Sequence, residues 1–264
     1  MSEELKPNNS SNKVNLIVFI PGYTLLSSVF RNYCAHLGDW QCLSIDYFDL
    51  KSLEDIISRI HESVQSINYN KLVLVGQSVG FKIAYHYLYK NSKVSKIFGF
   101  NPLYHPPKKF AFSCKNHERL VRITKMLANS KIGQFGTKGL IGPKEVLVTR
   151  RLLGNKNYYS KRLQYCLVQL KRDRNLMYEM LVNPLNYLYS SPLEENRFNQ
   201  EDITFLIGKG DTLLLKDFKG DYYQGLYGIF KNAKFHFLPG GHEGFLEEEK
   251  MWIEVFKNYV SEII

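Results

Sequence analysis

The feature that most constrains this 264-residue chain is a five-residue turn, Gly76-Gln77-Ser78-Val79-Gly80, set between two apolar stretches of different period. Before it, Leu72-Val73-Leu74-Val75 is an unbroken aliphatic run, the pattern of a strand buried on both faces of a parallel sheet. After it, residues 81–89 form a helix-forming stretch. A strand that passes into a helix through Gly-x-Ser-x-Gly makes a tight, strained bend. Side chains at Gly76 or Gly80 would collide with the neighbouring strand or helix. The bend puts Ser78 at the carboxyl edge of the sheet, beside backbone N–H groups and the positive dipole end of the helix.

The flanking sequence supplies the rest of such a sheet. Val14–Ile20 is a short apolar run that ends in Pro21-Gly22, which predicts a buried strand. Residues 27–37 have amphipathic helical spacing and stop at Gly38, and 41–45 read as a second strand closed by Asp46. Residues 52–67 open with a Ser52 cap and an acidic first turn. They keep Leu53, Ile56, Ile57, Ile60 and Val64 on one stripe, as a helix requires. Residues 96–100 form the next strand. This alternation of strand and helix is that of a doubly wound parallel sheet.

The alternation stops between residues 104 and 198, where no strand pattern occurs and helical stretches fall at 118–128, 144–153 and 158–180. Strand patterns return at 203–207 and 233–238. A last helix over 245–263 has Phe245, Trp252, Val255, Phe256 and Val260 on one side. The expected organisation is a polar tail (1–13), one α/β core formed by 14–103 and 199–264, and a helical cap insertion (104–198). A hydrophobic fraction of 44% and a charged fraction of 23% fit a globular chain.

A serine hydroxyl is a weak nucleophile without a base, so a histidine must reach Ser78. Of the seven histidines, His61 and His86 fall in predicted helices, His36 near a helix end and His236 in a strand, while His105 and His117 lie at or in the cap. His242 follows the last strand, in Leu238-Pro239-Gly240-Gly241-His242, on a loop at the same sheet edge as Ser78. The imidazole needs a carboxylate to fix its tautomer. Asp211 stands directly after the penultimate strand, in Gly208-Lys209-Gly210-Asp211. Asp202 precedes that strand at the opposite edge, and Asp221 and Asp46 are weaker candidates. The catalytic set expected is Ser78, Asp211 and His242. The oxyanion donors expected are the backbone N–H of Val79 and that of Tyr23, with Thr24 behind it, in the loop after the first strand.

The order elbow, cap, Gly-x-x-Asp and Gly-His resembles the α/β-hydrolase family over essentially the full length of the chain. Pro21-Gly22-Tyr23 resembles the His-Gly-x oxyanion turn of that family, with Pro21 in place of the histidine. Within the family, residues 21–31 resemble the small capped esterases and thioesterases, such as the pimeloyl-carrier-protein methyl ester esterases. Leu238-Pro239-Gly240-Gly241-His242 also resembles the type II thioesterases. Three features depart from the family pattern. The loop after Asp46 is Tyr47-Phe48-Asp49-Leu50, Phe81 stands where a third glycine is common, and the N-terminus leaves room for a sheet of about six strands.

The resemblance implies a serine hydrolase that cleaves a carboxylic ester or thioester through an acyl-enzyme. A small-ester carboxylesterase is the alternative, and a non-catalytic ligand-binding protein of the same fold a further one. The charge pattern bears on the substrate. Residues 106–198 hold 18 Lys and Arg against 6 Asp and Glu, a net +12, whereas the whole chain is +10. A basic segment that is also rich in Tyr, Leu and Phe suits an acyl chain on an acidic carrier, either acyl carrier protein or coenzyme A.

Basic runs such as Lys171-Arg172-Asp173-Arg174 have no nucleic-acid motif beside them, so no nucleic-acid partner is expected. Cys34, Cys42, Cys114 and Cys166 lack the close spacing of metal ligands and read as reduced, packed thiols. Neither a metal nor a cofactor is expected. The first 13 residues have no apolar core of a signal peptide, and no stretch reaches the roughly 18 apolar residues of a membrane span, which predicts a cytoplasmic protein.

Overall fold

The computed structural model describes residues 13–22, 25–50, 52–91, 93–104, 202–211 and 221–263. The three helical stretches expected within 104–198, and Tyr23 with Thr24, lie outside the described residues.

Six strands form one sheet among the described residues: β1 (Val14–Ile20), β2 (Trp40–Ser44), β3 (Tyr69–Gln77), β4 (Lys96–Phe100), β5 (Ile203–Gly208) and β6 (Lys234–Leu238). Every neighbouring pair is parallel, in the order β2-β1-β3-β4-β5-β6. The chain runs outward from β1 to β2 and then returns across β1 to β3. The carboxyl ends of β1 and β3 therefore flank the point where the winding reverses, the place where open parallel sheets hold their ligands.

The aliphatic runs form strands because both of their faces are covered. Leu16, Val18, Leu72, Leu74, Ile97, Phe205 and Ile207 pack on one face, against α2 (Leu53–Gln65), α3 (Val79–Lys90) and α4 (Asp221–Ile229). Ile17, Phe19, Val73, Val75, Phe98, Phe100 and Leu206 pack on the other. They meet a short 3-10 turn (Ser27–Phe30), α1 (Arg31–Ala35) and α6 (Glu249–Ser261). On α2 the five residues of the expected stripe are the buried ones, and Ser52 Oγ accepts the Asp55 N–H at 3.1 Å.

Three elements differ from the sequence expectation. The helix over 27–37 is divided into the 3-10 turn and α1. The final helix is broken at Glu248, whose backbone leaves the helical region (φ −119°, ψ 41°), into α5 (Gly244–Glu247) and α6. The crossover α4, interrupted by Gly225 and Gly228, was not expected as a helix. Among the described residues no helix is long and apolar enough to cross a membrane.

Candidate active site

The elbow at the end of β3 is as sharp as its glycines demand. Ser78 has φ 51° and ψ −121°, a left-handed backbone that costs a residue with a side chain about 1–3 kcal/mol. Hydrogen bonds hold it there. The Ser78 N–H donates to the Phe100 carbonyl at 2.9 Å, and the Ser78 carbonyl accepts from Phe81 N at 3.1 Å and Leu103 N at 2.9 Å. A Cβ on Gly76 would meet the Phe81 backbone, and one on Gly80 would meet the Ile20 and Pro21 carbonyls. The helix that follows the elbow thus lies directly against β1 and β3.

Asp211 is placed by a turn in which its N–H donates to the Gly208 carbonyl at 3.0 Å. That turn is laced to the loop after β6, with Lys209 N donating to Leu238 O at 2.7 Å and Gly210 N to Gly240 O at 2.8 Å. Gly240 takes φ 103°, which only glycine adopts readily, and this redirects the chain so that His242 faces the elbow. The result is a continuous chain of polar atoms. Asp211 Oδ2 is 2.8 Å from His242 Nδ1, and His242 Nε2 is 2.9 Å from Ser78 Oγ.

The three residues are 0%, 2% and 3% exposed for Asp211, His242 and Ser78, so water contributes little to these contacts. A carboxylate can only accept, so the Nδ1–H donates to Asp211 and the neutral Nε2 is left to accept from the Ser78 hydroxyl. Burial alone would push the His242 imidazolium down. The carboxylate of Asp211, with Glu243 and Glu247 behind it, outweighs that burial and leaves His242 raised above its ordinary value of 6.5. Tyr223 on α4 lies in the same electrostatic environment, where burial and then the Asp211 charge hold its phenol protonated.

The structure brings together Ser78, Asp211 and His242 as the sequence pattern expects. Val79 heads α3, where its N–H has no partner inside the helix. Tyr23 lies outside the described residues, but the segments on either side of it are fixed. Tyr47 Oη donates to the Pro21 carbonyl at 2.8 Å, and Ser27 N donates to Asp46 Oδ1 at 2.7 Å. Asp46 therefore serves the loop after β1. Asp202 stands at the amino end of β5, and Asp221 opens α4.

Sequence reasoning missed Asn101, which lies between these parts. It is fully buried with φ 44°, and its amide bonds to the main chain on both the Asp211 and His242 sides. The Asn101-Pro102 pair after β4 signals a turn, but nothing local signals those bonds. Nor does the sequence signal that Cys34 on α1 and Cys42 on β2, both free thiols, lie near enough to perturb each other's titration.

No family model and no curated protein matches the chain by sequence. Solved structures match it over nearly its whole length. An esterase from Exiguobacterium antarcticum superposes with a TM-score of 0.67 at 17% identity, covering 94% of this chain and 92% of that one. An epoxide hydrolase from Bacillus megaterium gives 0.61 at 16%, covering 95% and 94%. MGS-M2, an α/β-hydrolase enzyme from a deep-sea metagenome library, gives 0.64 at 12%, covering 98% and 92%. With the all-parallel six-stranded sheet, these likenesses define the chain as having the α/β-hydrolase fold.

Proposed function

We propose that this chain is a serine hydrolase that cleaves a carboxylic ester or thioester, with Ser78 as nucleophile, His242 as base and Asp211 as the group that orients the base. The observation that carries the reading is the buried Asp211–His242–Ser78 hydrogen-bond chain, with spacings of 2.8 and 2.9 Å. The neutral Nε2 takes the Ser78 proton as Oγ attacks the acyl carbon. The charge that develops on the carbonyl oxygen is held by the Val79 N–H and by an N–H of the loop after β1, for which Tyr23 is the candidate. The protonated His242 then gives its proton to the departing alcohol or thiol. Water, deprotonated by the same nitrogen, attacks the acyl-Ser78 carbonyl, releases the acid and restores the hydroxyl.

The fold also houses epoxide hydrolases, one of which is among the similar structures. Attack by Ser78 on an epoxide carbon would leave an ether, which has no carbonyl for water to attack. Ser rather than a carboxylate at this position therefore favours acyl transfer.

Turnover of a p-nitrophenyl ester series and of acyl-coenzyme A thioesters by the wild type and by Ser78→Ala tests the reading. Turnover that disappears in the variant supports it, and equal turnover by the two overturns it. The net +12 of residues 106–198 favours one refinement, an acyl chain delivered on an acidic carrier. Hydrolysis of carrier-bound thioesters that weakens with salt, while hydrolysis of small esters does not, supports this refinement. Equal salt response rejects it in favour of a general carboxylesterase.

A further inference from the structure

The β4–β5 ladder ends at the Phe100–Leu206 pair, and Asn101 continues it by other means. Its backbone N–H donates to the Leu206 carbonyl at 2.9 Å. Its Oδ1 then accepts the Gly208 N–H at 2.7 Å, filling the place that Asn101's own carbonyl would take in a longer parallel strand. From the same amide, Nδ2 donates to the carbonyls of Gly241 at 3.2 Å and His242 at 2.9 Å. The side chain is 0% exposed and sits on a left-handed backbone with φ 44°. An apolar residue of this size would leave the Gly208 N–H and the His242 carbonyl unpaired out of water, and the Gly241 carbonyl with only its Gly244 N–H partner.

These contacts have a specific geometry. Gly208 closes the turn that carries Asp211, since its carbonyl accepts the Asp211 N–H. Gly241 and His242 are the turn that carries the imidazole. Phe100, the residue before Asn101, supplies the carbonyl that holds the Ser78 N–H. One side chain is thus bonded to the acid segment and the base segment, and is adjacent in sequence to the anchor of the serine.

We infer that Asn101 is a positioning residue for the hydrolysis proposed above, setting the Asp211–His242 and His242–Ser78 distances through the backbone of the His242 turn. The inference rests on that reading of the site. Asn101 touches none of the reacting atoms and acts by limiting how far the base can drift from the acid and the nucleophile. A displacement of this kind lowers the chemical step and leaves substrate binding alone. It also weakens the Asp211 contact that raises the His242 pKa.

The test is Asn101→Gly, assayed on a p-nitrophenyl ester across pH beside the wild type, Ser78→Ala and Tyr33→Phe. Glycine accepts the positive φ without strain, so the side-chain bonds are what is lost. Tyr33→Phe removes a different buried bond to the same region, Tyr33 Oη to the Phe245 carbonyl at 2.8 Å, and reports the effect of destabilisation alone. In Asn101→Gly we expect kcat to fall about 10²-fold with KM little changed. The acidic limb of the pH profile should move down toward the ordinary imidazole range, and Tyr33→Phe should not move it.

A folded Asn101→Gly with near wild-type kcat overturns the inference, as does a loss that only follows the unfolded fraction with the limb unmoved. If that variant fails to fold, Asn101→Asp decides. It is isosteric and keeps the acceptor for Gly208 N, but it turns an oxygen toward the two carbonyls. A kcat near wild type then overturns the inference, a comparable fall at unchanged KM supports it, and failure of both chains to fold assigns Asn101 to the fold alone. Failure of the hydrolase reading is distinguishable, because it appears as a wild type no more active than Ser78→Ala and takes the Asn101 inference with it.

Discussion

His242 Nδ1 lies 2.8 Å from Asp211 Oδ2, joining two residues 31 positions apart through the ends of adjacent strands β5 and β6. The negative neighbours of His242 outweigh its burial and raise its pKa above 6.5. Since the neutral imidazole is the base, hydrolysis at pH 6.5 runs below half of its plateau and climbs as pH rises further. The pH profile of kcat/KM checks this. Asp211→Asn removes the charge, so the limb should shift downward and kcat should fall about 10⁴-fold through loss of the correct tautomer.

Gly80→Ala places a methyl group against the Ile20 and Pro21 carbonyls, which are backbone at the end of β1 and cannot swing aside. The expected outcome is a destabilisation of about 1–3 kcal/mol or more, with activity lost alongside. Urea unfolding and ester turnover measured on the same preparation test both parts.

His86 has its imidazolium pushed down to about 4, by burial first and then by the Lys82 charge one turn earlier on α3, and its Nε2 has no hydrogen-bond partner. In the unfolded chain it takes a proton near 6.5. Between these values the unfolded state binds more protons than the folded one. The stability this group contributes is therefore complete above 6.5 and declines as pH falls toward 4. In His86→Phe the gap between urea midpoints at neutral and mildly acidic pH should narrow, and an unchanged gap would contradict this account.

Ser52→Ala removes the oxygen that accepts the Asp55 N–H at the start of α2. The helix end then keeps an unpaired donor, at a cost of about 1 kcal/mol. Thermal unfolding should register that loss, while ester turnover of the folded protein should not change.

What was legible in the sequence follows from the range of the interactions involved. The strands from Val14 and Lys96 and the stripe Leu53, Ile56, Ile57, Ile60, Val64 are local patterns of burial, and they appear where the periodicities predict. Ser78, Asp211 and His242 were readable because each follows a strand, and a parallel sheet brings all of its carboxyl ends to one edge. Asn101 was not readable, because its side-chain bonds span 107 to 141 residues and depend on how two turns meet. The break between α5 and α6 was hidden for a related reason. Phe245 and Trp252 both face the core, so one apolar stripe runs through a chain that is bent.

The most direct test of the central claim is covalent. The wild-type protein is treated with a fluorophosphonate, and the modified peptide is located by mass spectrometry. Attack by the Ser78 Oγ on phosphorus, with proton transfer to His242 and loss of fluoride, predicts one adduct on Ser78. Its rate should rise with pH through the raised His242 pKa, and it should be absent in Ser78→Ala. A wild type that stays unmodified, or that carries the adduct at another residue, would contradict the account.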